Sequence, residues 1–245
     1  MNTSSERRSL LTARLELSAT ILLIVVALLV GGLTVWDRVH PQAGRAAIPE
    51  PPLPTDPVSI DDAPIRGDRK AKVALIEFSE FECPYCGKSA REVMPEINRK
   101  YVATGKVVLA WRHYPLPIHK QAQKAAEAAE CAGRQGQFWA FHDWAFQHQQ
   151  ELDEANIRQA AHALQLDSTA FAACLRGQAV AKVQADVDLA NAVSISGTPT
   201  WLIGVVQPAG KVRVTGRLSG AKPLAEFEKL INVAIATVEG PRKRE

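Results

Sequence analysis

Hydrophobic and polar positions fall into four distinct patterns along the chain. Leu17 to Val35 carries no charged residue. As a helix at ~1.5 Å per residue this run is about 28 Å long, close to the hydrocarbon thickness of a bilayer. It exceeds the ~7–15 apolar residues of a secretory signal, and only Val30-x-Gly32 offers a weak cleavage point. The run predicts an uncleaved signal anchor, with a cleaved signal peptide as the other reading. Arg7, Arg8 and Arg14 precede it, which places residues 1–16 in the cytoplasm and the remainder outside. Residues 36–63 hold Pro41, Pro49, Pro51, Pro52, Pro54 and Pro57, a density that opposes helix and sheet and predicts an extended spacer.

Beyond the spacer, Ala71 to Phe78 is nearly continuously apolar, as suits a strand buried on both faces. A helix is expected from Pro84 to Tyr101, tolerating proline in its first turn and bending at Pro95. Thr104-Gly105 turns the chain into a strand over Val107–Trp111, which completes a βαβ unit. From His119 to Asn191 the pattern is helical, with an alanine-rich stretch at Lys120–Ala132 and breaks at Gly133 and Gly136. Phe138, Trp139, Phe141 and Trp144 have the helical spacing of a core face, and Asp153 and Asp167 read as N-caps. Trp201–Ile203 and Lys211–Thr215 predict an antiparallel pair, and Pro223–Val238 a closing helix. The pattern describes an α/β domain over 64–238 with an all-helical insertion at about 119–191. One transmembrane helix precedes it and a basic tail, 239–245, follows it.

Composition narrows the function. The 245 residues are 47% hydrophobic and 22% charged, enough for a sizeable core. The net charge of +3 is scattered and gives no footing for nucleic acid. Of the four cysteines only Cys83 and Cys86 form a CxxC, and no second cluster completes a zinc set. Cys83-Pro84-Tyr85-Cys86 falls where strand passes into helix, with the first sulfur facing solvent and the second behind it. At a helix N-terminus Cys83 meets unpaired N–H groups and the positive end of the dipole, which favour thiolate. Glu80 and Glu82 oppose this. Glu77 is either a strand-end carboxylate facing water or a partly buried acid that relays protons to Cys86. A structural disulfide or half a zinc site are the other readings of the cysteine pair.

The run Glu77-Phe78-Ser79-Glu80-Phe81-Glu82-Cys83-Pro84-Tyr85-Cys86, the helical block and Gly197-Thr198-Pro199-Thr200 together resemble the DsbA-like branch of the thioredoxin superfamily, across roughly 58–238. That resemblance implies a thioredoxin-like fold and a cofactor-free, metal-free thiol-disulfide oxidoreductase outside the cytoplasm, held at the cell membrane. It makes Cys83 the nucleophile, Cys86 the resolving thiol, Pro199 a cis-proline and Glu77 the acid beneath the disulfide. Thr198, Pro84 and Tyr85 would then meet substrate. The implied substrates are thiols of exported proteins, and the implied recycling partner is a quinone-linked membrane thiol oxidase. Reductase or isomerase activity, or a thiol or copper carrier using a nearby histidine, remain as alternatives. Cys131 and Cys174 are expected to form a structural disulfide, which suits an exported domain better than two separate thiols. His113, Tyr114 and His119 read as loop or edge residues without chemistry, with the active-site rim as the other reading.

Overall fold

The computed structural model describes residues 22–29, 31–32 and 50–240. The chain divides into two units, 1–50 and 51–245. In the first, residues 22–29 and 31–32 are helical. No helix among the described residues is long and apolar enough to cross a membrane. Of the anchor expected over 17–35, residues 17–21, 30 and 33–35 lie outside the described residues. So do residues 1–16, residues 36–49 of the spacer and residues 241–245 of the basic tail.

The second unit is built on a six-stranded sheet of β1 (Val58–Ser59), β2 (Ile65–Arg66), β3 (Val73–Ser79), β4 (Val107–His113), β5 (Thr200–Gln207) and β6 (Lys211–Ser219). The order is β1-β6-β5-β3-β4-β2, with β3 and β4 parallel and the other pairs antiparallel. The spacer expected to reach residue 63 gives way earlier, because Val58 and Ser59 pair with Val212 and Lys211. The prolines stop at Pro57, and Val58 and Ile60 bury their side chains.

β3 is central and buried at every position, as its unbroken apolar run requires. Its alternate residues feed two cores. Val73 and Leu75 pack with Met94, Ile97, Trp201 and Phe227, whereas Ala74, Ile76 and Phe78 pack with Ala190, Leu202 and Val212. The helix expected from Pro84 to Tyr101 is divided into α1 (Pro84–Glu92), α2 (Met94–Ile97) and a π turn over Asn98–Val102. Pro95 explains the division at Val93: it lacks an N–H and its ring crowds the carbonyl of Arg91.

The insertion contains α3 (Ala122–Gly133), α4 (Phe138–Gln147), α5 (Glu154–Ala163), α6 (Ser168–Leu175) and α7 (Val180–Ala192), and α8 (Leu224–Glu239) closes the chain. Asp153 accepts from the Asn156 N–H at 3.0 Å and Asp167 from the Ala170 N–H at 2.8 Å, so both act as N-caps. The alanines of α3 are fully buried, and their small side chains let neighbouring helices approach closely. A disulfide between Cys131 and Cys174 joins α3 to α6, with Cα atoms 5.7 Å apart.

A buried ion network ties the insertion to the sheet. Arg112, near the end of β4, is 2% exposed. Its Nη1 donates to Asp186 Oδ1 at 2.7 Å, and its Nη2 donates to Asp62 Oδ1 at 2.7 Å and to the Ser59 carbonyl at 2.6 Å. Asp186 also accepts from the His113 N–H at 3.2 Å and from Lys182 Nζ at 2.6 Å. The Arg112 hydrogen bond holds the Asp62 carboxyl down at about 2. Removing one member of such a pair strands a buried charge. Asp186→Ala is therefore expected to lower stability by about 3–5 kcal/mol in urea unfolding, and a loss below ~1 kcal/mol would show that α7 is held by packing alone.

Candidate active site

The CxxC is held by residues far from it in sequence. Phe81, fully buried, stacks on Trp111 at 5.1 Å between ring centroids and meets Phe146 at 5.2 Å and His142 at 5.8 Å. The loop before Cys83 is thereby anchored to β4 and α4. Gln149, just past α4, donates its amide to the Phe81 carbonyl at 2.8 Å and to the Cys83 carbonyl at 2.9 Å. A Cβ at Gly87 would lie 1.8 Å from Gln149 Oε1, so glycine leaves the room this amide needs.

Cys83 is the N-cap of α1, extended at φ −64° and ψ 119°, with proline in the first turn. Both cysteines are free thiols. The first sulfur was expected to face solvent, yet Cys83 is only 3% exposed and Cys86 is fully buried. The loop of the cis Thr198–Pro199 bond lies against it: Cys83 Sγ is 3.4 Å from the Thr198 carbonyl oxygen. Tyr85 is the outward member of the motif, 63% exposed.

The two sulfurs differ electrostatically. A hydrogen bond from the Cys86 thiol, aided by the Thr198 side chain and the N–H groups of Cys86 and Tyr85, brings the Cys83 thiol down to about 5 against the cost of burial. Burial and the neighbouring Cys83 push the Cys86 thiol well up. One helix turn thus separates a stable thiolate from a held proton.

The acids around the pair are buried too. Glu77 is 2% exposed, between Trp111 on β4 and Trp201 on β5, and burial pushes its carboxyl up to about 8. Glu80 is fully buried and pushed up to about 7 by desolvation. Its Oε2 accepts from the Glu82 N–H at 2.6 Å, and its Oε1 hydrogen-bonds to His119 Nδ1. Glu82 Oε2 accepts from the Gln121 N–H at 2.5 Å, at the start of α3. The two acids expected to oppose the Cys83 thiolate are therefore held by partners: Glu80 by an imidazole and an N–H, Glu82 by an N–H.

The histidines read as loop residues without chemistry are engaged. His119 pairs with Glu80, while His113 is fully buried at the end of β4. His113 Nδ1 accepts from Trp111 Nε1 at 3.1 Å, and its Nε2 meets Glu130 Oε1 at 3.0 Å. Tyr114 donates to the Ile195 carbonyl at 3.0 Å. Ligand atoms of His113, Glu130 and Asp186 lie within 4.8 Å of one another, but Asp186 is already paired with Arg112 and Lys182. Sequence reading also missed Gln149 and Ser79. Alternation along β3 puts Ser79 on the face of Glu77, a usable signal; nothing local points to Gln149.

Comparison with known proteins agrees with this geometry. A family described as "Thioredoxin" matches residues 60–217. Wolbachia pipientis alpha-DsbA1 superposes with a TM-score of 0.62 at 27% identity, covering 77% of this chain and 94% of that one. BdbD from Bacillus subtilis shares the fold at 22% identity and a TM-score of 0.61, covering 74% of this chain and 98% of that one. Among curated proteins, a Na(+)/H(+) antiporter NhaA 3 of Salinispora tropica is 42% identical over 149 residues, 60% of this chain but 22% of the antiporter's length. The chain thus spans less than a quarter of that relative. The matched family covers β2 to β5, most of β6, the CxxC and the insertion, and the chain belongs to the thioredoxin family as a DsbA-like member of that superfamily.

Proposed function

We propose that the chain is a thiol-disulfide oxidoreductase that chiefly oxidises thiols of exported proteins, working outside the cytoplasm from a membrane anchor. The observation that carries this reading is the unequal pair: a Cys83 thiol brought down to about 5 beside a Cys86 thiol pushed well up. A stabilised thiolate favours the reduced enzyme, which makes the disulfide an oxidant.

In the forward reaction a substrate thiolate attacks the Cys83 sulfur, the Cys83–Cys86 bond breaks, and its electron pair leaves on Cys86. A second substrate thiolate then attacks the substrate sulfur of the mixed disulfide. Cys83 departs as thiolate, and a low-pKa thiol leaves quickly. Substrate would dock as an extended segment along Thr198 and Pro199, as an added strand does, with Pro84 and Tyr85 on the outer face. A quinone-linked membrane thiol oxidase would draw off the two electrons. The apolar run at 17–35 supports the anchor, and the likeness to a stretch of proteins named as Na(+)/H(+) antiporters agrees with work beside a membrane. Their transport activity is not carried over.

Cys86→Ala is expected to accumulate mixed disulfides through Cys83, detected by mass mapping after exposure to a thiol-bearing peptide disulfide. Cys83→Ala is expected to form none. Adducts appearing at Cys86 in the Cys83→Ala protein would refute the assignment of roles.

The Cys83 thiolate also makes reduced-form stability depend on pH. Its folded value, about 5, lies below the ~8.5 of a free cysteine, so its contribution is full above ~8.5 and is lost as pH falls through about 5. The melting temperature of the reduced protein should exceed that of the oxidised protein at neutral pH, and the gap should narrow as pH is lowered through that value. A gap independent of pH would contradict the assignment.

A further inference from the structure

Cations far apart in sequence meet at one end of the sheet. The register sets Val107, Val73, Val205 and Arg213 in one row across β4, β3, β5 and β6. Lys106 and Lys72 come one residue before that row, and Lys211 lies two residues further toward the same edge on β6. Arg69 and Lys70 are in the turn that enters β3. All six are exposed, and none has an ion pair or a side-chain hydrogen bond among the described residues. Elsewhere surface cations are matched: Arg99 by Glu96, Lys100 by Glu228 and Arg158 by Glu154. Asp61, Asp68 and Glu239 stand nearby, too few to neutralise six cations. Lys70, Lys72 and Lys106 also line a cavity of about 490 Å³, together with Glu239. Its other lining is apolar: Ile235 and Val238 of α8, with buried Ala71 and Val73. The seven residues of β3, about 23 Å, separate this end from the one that leads to Cys83.

We propose that this end of the domain is a docking face for anionic phospholipid, with a lipid phosphodiester held among Lys70, Lys72 and Lys106 and its glycerol ester against Ile235 and Val238. Lysine ammonium groups take phosphate as point charges without demanding one fixed geometry. An acidic peptide or a free phosphate would use the lysines but leave the apolar lining of the cavity without a partner. A phosphodiester joined to a glycerol ester uses both. The apolar run at 17–35 keeps such lipid at hand, so the docking face rests on the reading of that run as an anchor. Docked in this way, the domain turns Cys83 toward exported chains in solution. The contact is electrostatic and falls off within about 8 Å at physiological salt, so it forms and releases readily. Residues 36–49 can reach about 45 Å when extended, twice the length of β3, which lets the released domain turn toward a membrane partner.

The full chain is placed in vesicles of phosphatidylcholine, alone or mixed with phosphatidylglycerol. Lysines are labelled with an amine-reactive ester and mapped by mass spectrometry. Labelling of Lys70, Lys72 and Lys106 should fall about threefold or more when phosphatidylglycerol is present. Lys88, exposed on α1 beside the CxxC, should label alike in both. Salt of about 0.5 M should remove the difference. Lys72→Glu combined with Lys106→Glu should lose the protection at Lys70 while keeping the melting temperature, and the matching pair of arginine substitutions should keep it. Equal labelling in the two vesicle types, or a fall at Lys88 as large as that at the cavity, would overturn the docking face. Protection in phosphatidylcholine vesicles by added inorganic phosphate would assign the cavity to a free anion, and equal protection by polyglutamate would assign it to an acidic protein; either overturns the lipid. A chain that does not stay with phosphatidylcholine vesicles would instead overturn the anchor, and protection on phosphatidylglycerol vesicles would then still carry the docking face.

Discussion

The hydrogen bond between two sulfurs one helix turn apart governs the rest of this site. It lowers the Cys83 thiol and adds to burial in raising the Cys86 thiol. An exposed pair in water would share that proton nearly evenly. Here Cys86 is fully buried, so its charged form is penalised, whereas Cys83 sits where helix N–H groups and Thr198 favour an anion. The pair can therefore pass an electron pair in one direction with little change in backbone.

That bond depends on placement, and the placement is supplied from a distance. Phe81 fixes the loop by stacking on Trp111, and Gln149 holds the Phe81 and Cys83 carbonyls. Cis Pro199 comes from the loop before β5, and Ser79 from the end of β3. The insertion contributes Phe146 and His142 directly to the aromatic cluster behind Phe81, so it is part of the site's support. The Arg112 network then locks α7 of that insertion to β4 and the loop after β1.

Much of this was legible from local chemistry. The unbroken apolar run of β3, the CxxC at a strand-to-helix passage, and Asp153 and Asp167 as caps all act over a few residues. The thioredoxin-like fold with its helical insertion followed from those signals together. What escaped was action at long range or against local pattern. Glu80 meets His119 across 39 positions and Gln149 meets Cys83 across 66, and no spacing rule connects them. The proline-rich run concealed β1, because two residues paired to an edge leave almost no periodicity. The exposure of Cys83 was misjudged because the covering loop arrives from residue 198.

The reduction potential of the Cys83–Cys86 pair, measured against pH, tests the unequal sharing most directly. A dithiol that takes up two protons with two electrons shifts by about 60 mV per pH unit, and one that takes up a single proton by about 30 mV. With Cys83 ionised above about 5 and Cys86 protonated, the slope across neutral pH should be about 30 mV per unit. The potential itself should lie well above the ~−270 mV of thioredoxin. A slope of about 60 mV through neutrality, or a potential at or below ~−270 mV, would contradict the account.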